Sequence, residues 1–238
     1  MVCSSAARTH AGTVRRRNED AVLERVEIGL WAVADGAGGH ERGDYASSRI
    51  IAALHDVDAA LSGLSLVGEV KRRLADVNRE LRARAAALGS NALIGSTVAV
   101  LLIFDGESRC LWAGDSRLYR MRGGQLVQLS RDQSHVQDLV DRGEIAPETA
   151  AAHPLANVVT NLIGGFDELM LEERRDPLEL GDILLLCSDG LSGALGNVEI
   201  ASILTGFSTD AAADRLIESA LDQGARDNVS AVVVEYAR

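Results

Sequence analysis

The sequence predicts an α+β fold in which antiparallel strands build sheets and helices cover them from outside. Two long apolar series have helical spacing, several short runs are rich in β-branched residues, and a Gly-Gly pair separates two strand-like segments. The 238 residues are 47% hydrophobic and 25% charged, enough to bury a substantial core and unlike a disordered chain.

Each element follows from local pattern. From Ala46 the apolar positions fall at Ala46, Ile50, Leu54, Val57 and Leu61. From Val67 they fall at Val67, Val70, Leu74, Val77, Leu81, Ala85 and Leu88, beside Lys71, Arg72, Asp76, Arg79 and Glu80. Both series describe helices with one face on a core and the other in water. Residues 28–34, 97–104, 110–113, 183–187 and 229–234 read as buried strands, and 21–26 as another. Gly123-Gly124 between 117–122 and 125–129 predicts a hairpin with a two-residue turn. A last helix over 209–223 turns Ala213, Leu216, Ile217, Ala220 and Leu221 inward and stops at Gly224. Trp31 and Trp112 alternate with strand residues and belong to the core, as do Cys110 and Cys187.

No repeat or linker divides the chain, so residues 1–238 are expected as one domain. Two of the three prolines, Pro147 and Pro154, lie in 134–165, the candidate for an inserted flap. There Val136, Leu139 and Val140 mark a short helix, Gly143 ends it and Pro147 can start another.

Composition narrows the function. The charge is 24 − 35 = −11, which disfavours a nucleic-acid partner because displacing counterions from phosphates requires a cationic face. No apolar stretch approaches the roughly 20 residues of a membrane helix. The N-terminal segment lacks the apolar centre of a secretory signal. Cys3, Cys110 and Cys187 are too few and scattered for a disulfide framework or thiolate zinc site, and they suit the reducing cytoplasm. A cysteine phosphatase needs Arg six residues after its Cys, where this chain has Thr9, Ser116 and Gly193. No phosphate-binding Gly-x-x-x-x-Gly-Lys-Ser/Thr loop is present.

The chemistry lies where the strands end. The run to Ala34 stops at Asp35-Gly36, the run to Ala113 at Gly114-Asp115, and the run to Cys187 at Ser188-Asp189-Gly190. Asp227-Asn228 precedes the last strand, and Asn18-Glu19-Asp20 precedes the strand at 21–26. Singly, each is an ordinary turn or solvated strand end. Gathered at one edge, such aspartates repel unless cations neutralise them, and hard oxygen ligands suit Mg²⁺ or Mn²⁺. A carboxylate-only metal site serves phosphate chemistry. Arg15, five residues before Asp20, has the planar fork to hold a phosphate, whereas Arg16 and Arg17 read as solvated charges.

These residues resemble the metal-dependent type 2C serine/threonine protein phosphatases, the PPM family, in its short bacterial branch. The resemblance rests on six ordered motifs across residues 12–230: Gly12-Thr13-Val14-Arg15-Arg16-Arg17-Asn18-Glu19-Asp20, Asp35-Gly36-Ala37-Gly38-Gly39-His40, Gly95-Ser96-Thr97, Gly114-Asp115-Ser116-Arg117, Ser188-Asp189-Gly190 and Arg226-Asp227-Asn228. It implies a four-layer α-β-β-α sandwich of two antiparallel sheets with two Mn²⁺ or Mg²⁺ ions at one end. Asp35 is then the bridging ligand, Asp20 and the Gly36 carbonyl bind one ion, and Asp189 and Asp227 the other. A third ion is implied at Asp115 with Asp189. Arg15 positions the phosphomonoester, Glu19 acts through water, and Asn228 either orders Asp227 or serves a turn. The implied reaction is direct attack of a two-metal-bridged hydroxide on phosphoserine or phosphothreonine, with no phosphoenzyme.

Departures from the family pattern are Ala37 for Met, Gln133 for the commoner His, and Asn161 for the commoner Arg. They bear on substrate preference more than on catalysis. His40 is a candidate for the general acid, for orienting a metal-bound water, or for packing. The expected partners are phosphorylated proteins, including a cognate Ser/Thr kinase and its substrates, with no nucleic acid and no membrane, and the chain is expected to be a monomer. A binding module without turnover is the alternative reading. Its usual mark is a lost metal aspartate, and Asp20, Asp35, Asp189 and Asp227 are all present.

Overall fold

A computed structural model of the chain describes residues 2–37, 42–89, 92–150 and 152–237. The strands are β1 (Val2–His10), β2 (Asp20–Arg25), β3 (Leu30–Ala37), β4 (Gly95–Ser96), β5 (Val98–Phe104), β6 (Glu107–Ala113), β7 (Arg117–Arg122), β8 (Gln125–Gln128), β9 (Glu172–Pro177), β10 (Ile183–Cys187) and β11 (Val229–Ala237). The helices are α1 (Gly43–His55), α2 (Gly63–Leu88), α3 (His135–Asp141), α4 (Pro147–Ala150), α5 (Asp189–Ala194), α6 (Asn197–Gly206) and α7 (Thr209–Asp222).

One sheet runs β1-β11-β10-β7-β8, the other β2-β3-β5-β6-β9, with β4 pairing β3. The recorded pairings are antiparallel. Residue alternation sorts each central strand between two cores. In β3, Trp31 and Val33 face the other sheet, while Leu30, Ala32 and Ala34 pack under α1 and α2. In β11, Val232 and Val234 meet the opposing sheet, whereas Val229, Ala231 and Val233 pack under the helices of the other side. Both faces are therefore dry, which is why these strands read as continuous apolar runs. The layers are α-β-β-α, as the resemblance implied. Both tryptophans, Cys110 and Cys187 are buried.

Boundaries differ in informative ways. The series from Ala46 continues to Leu61, but α1 ends at His55 and Val57 enters the core from the following loop. The strand expected at 28–34 begins at Leu30, because Gly29 turns the chain at φ 67°. Gly123 and Gly124 both have positive φ, the requirement of the predicted tight hairpin. Strands β1 and β9 and helices α5 and α6 lie where no element was expected. Both strands are sheet edges, and β9 (EERRDP) carries the charges that keep an edge from pairing with another chain, so its sequence lacks a strand signature. Helices α3 and α4 occupy the segment 134–165. Ser134 caps α3 by accepting a hydrogen bond from the Gln137 N–H, and Gly143 follows it at φ 71°.

Candidate metal centre

Antiparallel pairing of β2 and β3 sets Asp20 directly opposite Asp35. Asp189 opens α5 straight after β10, which lies in the other sheet, and its carboxyl is within hydrogen-bonding reach of Asp35. Asp115 follows β6 and is buried, while Asp227 precedes β11. The sandwich thus brings these five carboxylates to one end, and their mutual repulsion is felt at several of them. Burial, then the charges of Asp20, Asp189, Asp115 and Asp227, push the Asp35 carboxyl well above its ordinary range. Burial and Asp189 raise Asp115 to about 7. Burial and Asp227 also raise Asp189. Asp20 rises to about 6 through burial, despite the hydroxyl of Ser230 and the nearby one of Ser188, which favour its ionised form.

The surrounding residues hold this edge in place. The Ser230 hydroxyl donates to Asp20 Oδ2 at 2.6 Å. Asn228 accepts from the Glu19 N–H at 2.8 Å and donates to the Ala11 and Arg17 carbonyls at 3.0 and 2.9 Å, fastening the loop before β2 to the start of β11. Its own N–H donates to Asp227 Oδ1 at 2.9 Å. Gly36 donates to the Glu19 carbonyl, and a Cβ there would lie 2.2 Å from the Gly43 carbonyl oxygen, so only glycine fits. Burial and then the Asp44 charge raise the Glu19 carboxyl. Thr97 Oγ1 accepts from the Asp35 N–H at 3.3 Å and pairs with the Ser116 hydroxyl at 2.7 Å.

Arg15 lies against Asp227: Nε and Nη2 donate to its two carboxylate oxygens at 2.9 and 2.7 Å. That bond raises the guanidinium's pKa and spans Asp227 in a bidentate fork. His40 lies outside the described residues. Gln133, in contrast, is well placed: its Oε1 accepts from the Gly114 N–H and from Asn161 Nδ2, both at 2.8 Å. The two departures therefore contact one another and reach the residue next to Asp115.

Asp20 Oδ1 is buried without a hydrogen-bond partner, an expensive condition for a carboxylate oxygen that a coordinated cation relieves. Among the described residues no three His, Cys, Asp or Glu side chains already close a cage around one point; the acids line an edge, with Arg15 covering Asp227. The donors are hard and anionic throughout, and they fit Mg²⁺ or Mn²⁺. Ser230 was not singled out from the sequence. Its signal is a hydroxyl interrupting the apolar run of β11, between Val229 and Ala231.

The sandwich agrees with the comparisons to known proteins. The chain belongs to the protein phosphatase 2C family, whose pattern it matches over residues 9–233. It is 36% identical over 238 residues to the serine/threonine protein phosphatase PstP of Mycobacterium tuberculosis, covering 99% of this chain but only 45% of PstP. The solved catalytic domain of PstP in complex with two manganese ions superposes with a TM-score of 0.89 at 34% identity, covering 99% of both chains. PppA of Pseudomonas aeruginosa, described as a key regulatory component of T6SS, superposes at 0.92 with 42% identity, covering 99% of this chain and 98% of PppA. Among the described residues no helix is long and apolar enough to cross a membrane.

Proposed function

We propose that the protein is a Mn²⁺- or Mg²⁺-dependent phosphatase that hydrolyses phosphoserine and phosphothreonine monoesters in proteins and so reverses a Ser/Thr kinase. One observation carries the reading: five aspartates from separate parts of the chain meet at one end of the sandwich, and one of them keeps a buried oxygen without a partner. The manganese-bound PstP domain and the names of the relatives support it.

Asp35 lies between Asp20 and Asp189 and would be the ligand common to two cations, with Asp20 holding one and Asp189 and Asp227 the other. Divalent cations bound there supply Lewis acidity toward the phosphoryl oxygens and acidify water at neutral pH. The protein's part is placement. The Ser230 and Asn228 bonds fix Asp20 and Asp227 before substrate arrives, so little reorganisation opposes the reaction. Arg15 already grips a carboxylate through two parallel N–H···O bonds, the same geometry by which it holds a phosphate. Arg15 would release Asp227 to reach a phosphate, and the released carboxylate would be one of the residues holding a cation. Asp115, beside Asp189 on the same edge, is the candidate ligand for a third ion, and Glu19 acts through water.

The test is titration of metal-free protein with Mn²⁺ while p-nitrophenyl phosphate hydrolysis is followed. Turnover that rises with occupancy of about two ions, vanishes with EDTA and is absent in Asp189→Asn is expected. Metal binding without turnover on aryl phosphate or phosphopeptide makes the binding module the better account.

A further inference from the structure

Two clefts open at the acidic end, one on each side of Asp189, and they share Asp189, Gly193 and Asn157 in their walls. The first, of about 590 Å³, carries Arg15 and Arg226 and is floored by small residues, including Gly190, Ala194 and Gly224. The second, of about 560 Å³, lies under the α3–α4 segment. One of its walls is apolar, with Val136, Val140, Pro147, Ala150 and Ala156; the other carries Asp115, Asp189 and the Arg117–Asp132 pair.

Neither cleft is a loose surface dent. The apolar wall is fastened at its base. The Ser134 hydroxyl caps α3, the His135 N–H donates to the Val158 carbonyl at 2.8 Å, and the Thr160 N–H donates to the Gln133 carbonyl at 2.8 Å. The charge pattern is asymmetric. Arg117 is engaged with Asp132, its Nη2 at 2.6 Å from Oδ2, so the pair is locally neutral and leaves Asp115 and Asp189 as the net charge of the second cleft. The first cleft holds Arg15 and Arg226 beside Asp189 and Asp227, with Arg15 paired to Asp227. A segment crossing Asp189 therefore meets a polar, charge-balanced cleft on one side and an apolar wall on the other.

Building on the phosphatase reading, we propose that the two clefts form one trough for the substrate chain. The cleft under α3–α4 is a side-chain subsite that takes an apolar residue flanking the phosphoserine or phosphothreonine, and Asn157 holds the substrate backbone where the clefts meet. The phosphate sits at the junction, within reach of Asp189 and Arg15. An apolar side chain gains by covering Val136, Val140 and Ala156, whereas a charged one would have to shed its hydration against that wall. Asn157 is exposed at the junction, and its amide offers one donor and one acceptor group, matching a peptide unit.

The experiment uses the Mn²⁺-loaded full chain and a set of phosphothreonine peptides in an alanine background, with Leu, Lys or Glu at each of three positions on either side. Leu at one flanking position is expected to raise kcat/KM about tenfold over Ala, the scale of discrimination a hydrophobic pocket reaches, with Glu at that position below Ala. In Val140→Asp the same position should switch to preferring Lys, and Val140→Thr, which keeps the shape, should reduce the Leu preference by several-fold. Asn157→Ala should lower the ratio of peptide to p-nitrophenyl phosphate kcat/KM about tenfold. Peptides that all fall within about twofold of one another overturn the subsite, as does a Leu preference that survives Val140→Asp. If aryl phosphate itself is not hydrolysed, the phosphatase reading has failed and the subsite falls with it.

Discussion

Replacing Gly190 by alanine isolates how much of the site depends on close backbone contact. Gly190 follows Asp189 in α5, and a Cβ there would lie 2.0 Å from the Asn228 carbonyl oxygen, where ordinary contacts are 3.4–4 Å. Backbone stands in the way, so the Asp227–Asn228 turn must retreat by more than about 1 Å, carrying Asp227 away from Asp189. Overpacking of this kind costs about 1–3 kcal/mol. In a chain of this size that lowers Tm by roughly 2–12 °C. Misplacement of about 1 Å at a reacting centre costs on the order of a hundredfold in rate. Activity should therefore fall much further than stability. The assay is Mn²⁺-dependent kcat on a phosphothreonine peptide beside thermal unfolding, with Gly206→Ala as the control. Gly206 is helical and a Cβ there meets nothing within 4 Å, so activity within twofold of wild type is expected from it. A Gly190→Ala protein with wild-type Tm and kcat within about threefold would refute the reasoning.

Three further outcomes follow from the same edge. Asp20 and Asp115 titrate near 6 and 7 in the folded chain against an ordinary 3.8, so between about pH 4 and pH 7 the folded state holds more protons than the unfolded one; metal-free stability should fall as pH rises through that window, and denaturation at pH 4.5 and 7.5 with and without Mn²⁺ should show the loss reversed by metal. Asn228→Ala removes the acceptor of the Glu19 N–H and the donor to two loop carbonyls, so roughly 3 kcal/mol of stability should go, read by urea unfolding; a loss under 1 kcal/mol would mean these bonds are readily replaced by water. Gln133→Ala removes the acceptor of the Gly114 N–H and one of the two acceptors of Asn161 Nδ2, which keeps its bond to the Met170 carbonyl, and hydrogen exchange at Gly114 and across 134–160 should rise, whereas unchanged protection would deny that this amide pair fastens the segment to the sandwich.

The parts of the fold legible in sequence were those buried on two faces or striped on one. The runs ending at Ala34, Ala113 and Cys187 announce their strands because both sides are dry, and α2 shows its stripe from Val67 to Ala85. Strand β9 escapes because its exposed, charged edge is selected against pairing, and α5 because Asp189, Gly190 and Gly193 in six residues carry little helical signal. The acidic positions were visible as strand ends. Their convergence needed the family resemblance, since which ends share one edge is set by strand order. Ser230 and the Arg15–Asp227 pair were illegible for another reason: each joins residues more than 200 positions apart.

The most direct test is phosphate release from a phosphothreonine protein or peptide by wild type and Asp35→Asn, each with Mn²⁺ and with EDTA. Asp35 faces Asp20 across the strand pair and Asp189 across the sandwich, so its loss would remove the carboxylate proposed as the shared ligand. Metal-dependent release by wild type, abolished in a folded Asp35→Asn protein, is the predicted result. Release that persists in EDTA, or that survives Asp35→Asn, would contradict the account.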